Sequence, residues 1–233
     1  MPRESADALR ERALAVTHRL RGTYPDAHCE LVFSNPLELL IATILSAQCS
    51  DRQVNRVTPA LFSKYRTAAD YAAAPLPELE NDIRNLGLFR NKAKNIRTAC
   101  HHLVDRHEGR IPQTLDELVE LAGVGRKTAN VVLGNAFNIT SGIVVDTHVA
   151  RLSNRLGFTR ETDPTRIEFA LGKLVPHEHW MLFSHWMIWH GRRRCTARSP
   201  DCGACEIRDL CPSASALKTP PNRRKSAVRS AAK

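Results

Sequence analysis

The sequence predicts an all-α protein of about ten helices joined by short loops. Three observations point there. Apolar residues recur at helical spacing along most of the chain, helix-capping residues stand where those runs begin, and no sustained period-two run appears between turn signals. Leu9, Ala13, Val16 and Leu20 define the first helix. Leu37, Leu40, Ile41, Ile44 and Leu45 define the second, with Asn35 as N-cap, Pro36 in the first turn and Glu38 in the capping-box position. Ala93, Ile96, Cys100, Leu103 and Val104 line another. Thr114 and Glu117 form a box ahead of Leu118 and Leu121, and that helix is expected to end at Leu121-Ala122. Asp146 precedes Val149, Leu152 and Leu156, and Asp163-Pro164 opens a helix holding Ile167, Leu171 and Leu174. Trp180, Phe183, Trp186, Met187 and His190 sit on a late helix. Ile143 to Val145 is β-branched but too short to start a sheet.

The 233 residues are 42% hydrophobic and 25% charged, which excludes wholesale disorder, collagen and a coiled coil. The best apolar run, Leu39 to Leu45, is far shorter than the roughly 18 residues of a membrane span. Met1 to Arg10 carries Glu4 and Asp7 and has no apolar centre, so neither a secretory signal nor a transit peptide is expected. The expected location is the cytoplasm, on the nucleoid if the source is bacterial, where structural disulfides are rare.

The net charge of +10 suggests a polyanionic partner, usually nucleic acid. From His190 to Lys233 eleven basic residues outnumber three acidic ones, leaving the first 189 residues close to neutral. Ser213 to Lys233 holds no acid and is rich in Ala, Ser and Pro, so residues 212–233 are expected to be a basic disordered tail.

Seven cysteines are present. Cys49 and Cys100 fall in helical patterns and read as small buried hydrophobes. Cys195, Cys202, Cys205 and Cys211 are different: four thiols within 17 residues point to a metal site. By spacing alone, four-thiolate zinc and a [4Fe–4S] cluster both remain open. Arg192, Arg193, Arg194 and Arg198 crowd the first ligand and its loop, where they could grip phosphate or offset the charge of the thiolates.

Thr114 to Ala136 reads as helix, tight turn, helix. Gly123-Val124-Gly125 makes the turn, and the second helix opens at Arg126 or Lys127 with unpaired N–H groups suited to a phosphate oxygen. Lys127 lies in the first turn, where the helix dipole opposes a cation. Partial burial there would favour the neutral amine a nucleophilic lysine needs; a plain phosphate-binding lysine is the alternative. Asp146 reads either as an N-cap or as a carboxylate held near Lys127 to handle protons.

Together these elements resemble the endonuclease III family, bifunctional DNA glycosylases of the helix-hairpin-helix superfamily. The matching residues are L-S-A-Q at Leu45 to Gln48, G-L-F-R-N-K at Gly87 to Lys92, and G-V-G-R-K-T-A-N-V-V-L at Gly123 to Leu133. V-D-T-H-V at Val145 to Val149, H-G-R at His190 to Arg192 and the four cysteines complete the set. The resemblance runs from about Leu9 to Cys211.

It implies a two-lobed fold with a groove between the lobes. Residues 30–139 would form a six-helix barrel carrying the hairpin at about 114–136, and 1–29 with 140–211 a discontinuous cluster domain. Lys127 would be the amine nucleophile and Asp146 its partner carboxylate. The enzyme would remove oxidised pyrimidines from duplex DNA through a lysine Schiff base and cut the abasic site by β-elimination, with the damaged base flipped from the stack. Gln48 would fill the vacated stack and Leu88 would wedge into the opposite strand. Gly123, Val124 and Gly125, with Arg192 and Arg198, would hold DNA. The four cysteines would bind a [4Fe–4S] cluster. The expected partner is double-stranded DNA with a damaged base or abasic site, engaged by a monomer and away from membranes.

The chain departs from the family at Ala122, where proline is usual, and at Arg90, where a small polar residue is common. Three rivals stand beside this reading. An adenine-specific relative typically lacks the lysine and carries a long C-terminal domain. A non-catalytic DNA-binding module would use hairpin and cluster for grip alone. An electron carrier would not need so basic and helical a chain.

Overall fold

A computed structural model describes residues 4–216. Those residues form eleven α-helices and two short 3-10 turns, with no strand. The helices are α1 (Ala6–Thr23), α2 (Pro36–Leu45), α3 (Asp51–Lys64), α4 (Ala68–Ala73), α5 (Leu76–Asp82) and α6 (Phe89–His107), then α7 (Leu115–Val119), α8 (Arg126–Phe137), α9 (Thr147–Arg155), α10 (Pro164–Gly172) and α11 (Trp180–Arg193).

Local chemistry explains most of the boundaries. The Asn35 side chain accepts from the Glu38 N–H at 3.0 Å, while the Glu38 carboxylate reaches past it to the Ser34 N–H at 2.6 Å. Asp163 accepts from the Arg166 N–H at 2.9 Å, and Thr114 from the Glu117 N–H at 3.3 Å. Two capping boxes, Ser50 with Gln53 and Thr67 with Asp70, open α3 and α4. Helix α7 stops two residues before the expected Leu121, because Leu121 already turns to accept from the Val124 N–H at 3.0 Å.

Two separate hydrophobic cores result. The first gathers α2 to α8 around Leu40, Leu45, Ile96, Leu103 and Leu133. The second joins α1 to α9, α10 and α11 through Val16, Leu20, Leu152, Phe183 and Trp186. The N-terminal helix thus packs on the C-terminal half. Arg12 fastens it there by donating to the carbonyls of Leu156 at 2.7 Å and Leu210 at 3.0 Å. This is a two-lobed helical fold in which the first core comes from one continuous run of helices and the second joins the two ends of the described chain.

Residues 212–216 are turned, and the Ser213 hydroxyl donates to the Arg155 carbonyl at 2.7 Å. The rest of the expected tail, 217–233, lies outside the described residues. No helix among the described residues is long and apolar enough to cross a membrane.

Candidate active site

Between the two cores lies an open cleft of about 850 Å³, solvent included. Lys127 reaches it from the start of α8 and Asp146 from the start of α9, so the two residues enter from different lobes and line one cavity.

The hairpin before α8 shows why each glycine stands where it does. Gly123 has a φ of 78°, and a Cβ there would lie 2.9 Å from the Asn95 side chain, so the fold itself requires glycine. Gly125 has an ordinary φ of −93° and open space around it. Its missing side chain serves the fold in no visible way and leaves the backbone bare. The first intrahelical bond runs from the Ala129 N–H to the Gly125 carbonyl at 3.0 Å, so the N–H groups of residues 126–128 fall outside the helix's own ladder. No side chain caps them. Val124 points into the first core, with its N–H already given to Leu121.

The Lys127 side chain is exposed to the cleft. The partial burial expected from the sequence is not found, because the second position of α8 faces the gap between lobes and not either core.

Asp146 is the N-cap that one reading of the sequence expects, and it shares a cleft with Lys127. It caps α9 by accepting from the His148 and Val149 N–H groups, each at 2.8 Å, and it is half-buried in the wall of the cleft. Both bonds fall on Oδ1, and Oδ2 has no protein partner among the described residues. One carboxylate oxygen thus anchors the helix, and the residue as a whole lines the cavity.

Helix α9 connects this carboxylate to the four cysteines. Arg151 donates to the carbonyls of Gly191 at 3.1 Å and Cys195 at 2.9 Å. Arg155 donates to the Cys195 sulfur at 3.1 Å and to the carbonyls of Thr196 and Ala197, each at 2.8 Å. Cys195, Cys202, Cys205 and Cys211 line one small cavity of about 380 Å³ with Leu152, Leu156 and Ile207. Four convergent thiols in an apolar pocket, with a guanidinium on one sulfur, fit an iron–sulfur cluster. His190 closes one side, its Nδ1 3.0 Å from the Tyr24 hydroxyl, and burial lowers its pKa to about 4.

Gln48 and Leu88 stand on neighbouring loops, before α3 and α6. Both take left-handed backbone conformations, with φ of 55° and 59°, and both are exposed. Leu88 is 51% exposed and belongs to neither core. Arg198 is exposed on the loop after Cys195 and makes no ion pair among the described residues. Arg192 is not available in the same way. Its guanidinium pairs with Glu30 and with Asp51 at 2.8 Å.

Three contacts had no signal in sequence spacing: Arg126 with Glu168, Lys92 with Cys49, and Arg155 with the cluster loop. Each joins residues 40 or more positions apart.

Comparison with known proteins agrees with this geometry. The profile of the HhH-GPD superfamily base excision DNA repair proteins matches residues 41–177, and that of the iron–sulfur binding domain of endonuclease III matches 195–211. Endonuclease III of Synechocystis sp. is 52% identical over 89% of this chain and 94% of its own. The chain belongs to the endonuclease III family. The Escherichia coli endonuclease III is 42% identical over 86% of this chain and 94% of its own. A solved endonuclease III in a non-covalent complex with DNA superposes with a TM-score of 0.85 at 50% identity, covering 89% of this chain and 97% of that one. A trapped covalent endonuclease III–DNA intermediate matches equally well. As a member of this family the protein is a base excision repair glycosylase with AP lyase activity, and it carries a [4Fe–4S] cluster in the iron–sulfur binding domain matched at 195–211.

Proposed function

We propose that this chain removes oxidised pyrimidines from duplex DNA and then cuts the strand, with Lys127 as nucleophile and Asp146 as its proton-handling partner. The observation that carries the reading is that Lys127 and Asp146, whose Oδ2 has no partner among the described residues, line one cleft from opposite lobes.

The chemistry follows from that placement. The Lys127 amine attacks C1′ of the damaged nucleotide, the C1′–N bond breaks, and the base leaves with its electron pair and a proton. The Lys127 nitrogen gives one proton to the departing base and a second, relayed by Asp146, to O4′ as the C1′–O4′ bond breaks, which leaves an imine at C1′. Asp146 accepts a proton and offsets the positive charge that develops on the sugar and imine. Loss of the C2′ proton then expels the 3′ phosphate by β-elimination. The cluster, held by Cys195, Cys202, Cys205 and Cys211, would rigidify the loop beneath α9 and supplies no group to these steps.

DNA contacts are assigned by exposure. The bare N–H groups after Gly125 suit a backbone phosphate, with Gly123 and Val124 shaping the turn. Arg198 would add a phosphate contact. Arg192 would reach DNA only by giving up Glu30 or Asp51, and holding the lobes together is the role its ion pairs support.

The wedge residues carry a cost that the fold does not explain. Leaving half of Leu88 in water forgoes about 1 kcal/mol of burial. Its left-handed backbone costs about 1–2 kcal/mol more. Insertion into the opposite strand accounts for both, and Gln48 fills the vacated stack. The lobes are drawn at 30–139 for the barrel, with its hairpin at about 114–136, and at 1–29 with 140–211 for the cluster domain. The enzyme would act as a monomer in the cytoplasm. Incision of duplex DNA carrying thymine glycol, compared with the undamaged duplex, tests the substrate class: wild-type protein should cut only the lesion strand, and failure to cut it would remove oxidised pyrimidines from the account.

A further inference from the structure

We infer that Glu168 is a positioning residue for the proposed nucleophile, acting through Arg126 to fix the first turn of α8 against the opposite lobe. The inference rests on Lys127 being that nucleophile.

Helix α8 begins without a side-chain cap, so its first turn lacks the usual local restraint. The restraint comes from the other lobe. Arg126, beside Lys127, donates from Nε and Nη2 to the two oxygens of Glu168 at 2.9 and 2.8 Å. Glu168 projects from α10 and is 7% exposed. A planar two-bond pair fixes orientation as well as distance, which a single contact does not.

The surroundings are shaped to hold this carboxylate. Asn130, one turn along α8, donates to Glu168 Oε1 at 3.4 Å and accepts from the Ser141 hydroxyl at 2.7 Å. A Cβ on Gly142 would lie 2.0 Å from Glu168 Oε1 and 2.7 Å from Asn130 Nδ2, so the interlobe strand of chain is glycine where the carboxylate needs the room. The Arg126 guanidinium also lies 5.4 Å from the centre of the exposed Phe169 ring. Glu168 therefore ties the start and the second turn of α8 to the lobe that bears Asp146. The Lys127-to-Asp146 separation depends on that tie, since the two residues sit on different lobes. A shift of about 1 Å in a reacting group can cost roughly a hundredfold in rate.

The test separates positioning from grip and from folding. Glu168→Gln keeps the shape and removes the charge. Its borohydride-trapping rate on a duplex with a preformed abasic site, under single turnover, should fall roughly tenfold to a hundredfold. Its affinity for a duplex carrying a tetrahydrofuran abasic analogue should fall by much less than the trapping rate, with iron content unchanged, because Glu168 is 7% exposed and the phosphate-binding N–H groups stay on the backbone of α8. Arg126→Gln should lose trapping rate to a similar degree, and the double variant should be no slower than the worse single. Arg126→Lys, which keeps the charge and cannot form the two-bond pair, should give an intermediate loss and stays informative if Glu168→Gln fails to take up its cluster. Trapping by folded Glu168→Gln or Arg126→Lys at the wild-type rate, or a loss that lies wholly in DNA affinity, would overturn the inference. Lys127→Ala in the same assay keeps the two claims apart: continued trapping by that variant would overturn the nucleophile itself.

Discussion

Lys92 donates from Nζ to the sulfur of Cys49 across 3.1 Å, joining the loop that carries Gln48 to the helix that follows Leu88. Lys92 as a whole is 3% exposed, and Cys49 is its one side-chain partner among the described residues. The Lys92 N–H also bonds the Leu88 carbonyl at 3.0 Å. Two loops that each hold a left-handed, exposed residue are therefore joined by one part-buried polar bond.

The two partners of that bond should respond unequally to mutation. Cys49→Ala leaves the buried amine without a partner and should cost about 1–3 kcal/mol. Lys92→Met removes the amine while keeping most of the side-chain volume and should cost less than about 1.5 kcal/mol. Denaturant unfolding of both variants checks this. Equal costs would mean that the bond is not what stabilises the loops.

The glycines of the hairpin should separate stability from DNA binding. Gly123→Ala forces a Cβ against Asn95 at a φ of 78° and should lower stability by more than about 1 kcal/mol. Gly125→Ala meets open space at an ordinary φ, so it should leave thermal stability unchanged or slightly raised. Its methyl group would crowd the bare N–H groups and weaken DNA binding. Melting curves beside DNA titrations decide; a Gly125→Ala variant that binds normally would remove the phosphate role from that turn.

Much of the fold was legible because its signals are local. Asn35, Thr114 and Asp163 each cap the helix that apolar spacing places after them. Helix α3 was missed because it buries only Val54, Thr58 and Leu61 and holds Pro59 inside, although its Ser50–Gln53 box was there to be read. Helices α4 and α5 are too short for periodicity to register. The site is a harder case. Lys127 and Asp146 stand out by type and position, but the exposure of Lys127 depends on where two cores leave a gap. Arg126 and Glu168 are 42 positions apart, with no motif to pair them. Leu88 read in isolation favours a core leucine, and only its backbone geometry and exposure say otherwise.

A pH-dependent loss of stability should trace to His185. Its Nε2 lies 3.0 Å from Asn135 Oδ1 in the cleft wall, and burial first, with His28 second, lowers its pKa from 6.5 to about 4. The folded state therefore resists a proton that the unfolded chain takes up below 6.5. The contribution is fully present above about pH 6.5 and is lost as pH falls toward 4, by up to about 3 kcal/mol. His185→Gln should flatten that part of the profile in urea melts between pH 7 and 4. An unchanged slope would place the acid sensitivity elsewhere.

The account's central claim is that the Lys127 amine becomes covalently attached to the sugar. Borohydride trapping on duplex DNA with an abasic site, followed by peptide mapping of the adduct, tests it most directly. Wild-type protein should yield one adduct, mapped to Lys127, and Lys127→Ala should yield none. Lesion cleavage without an adduct, or an adduct on another residue, would contradict the mechanism and return Lys127 to a phosphate contact.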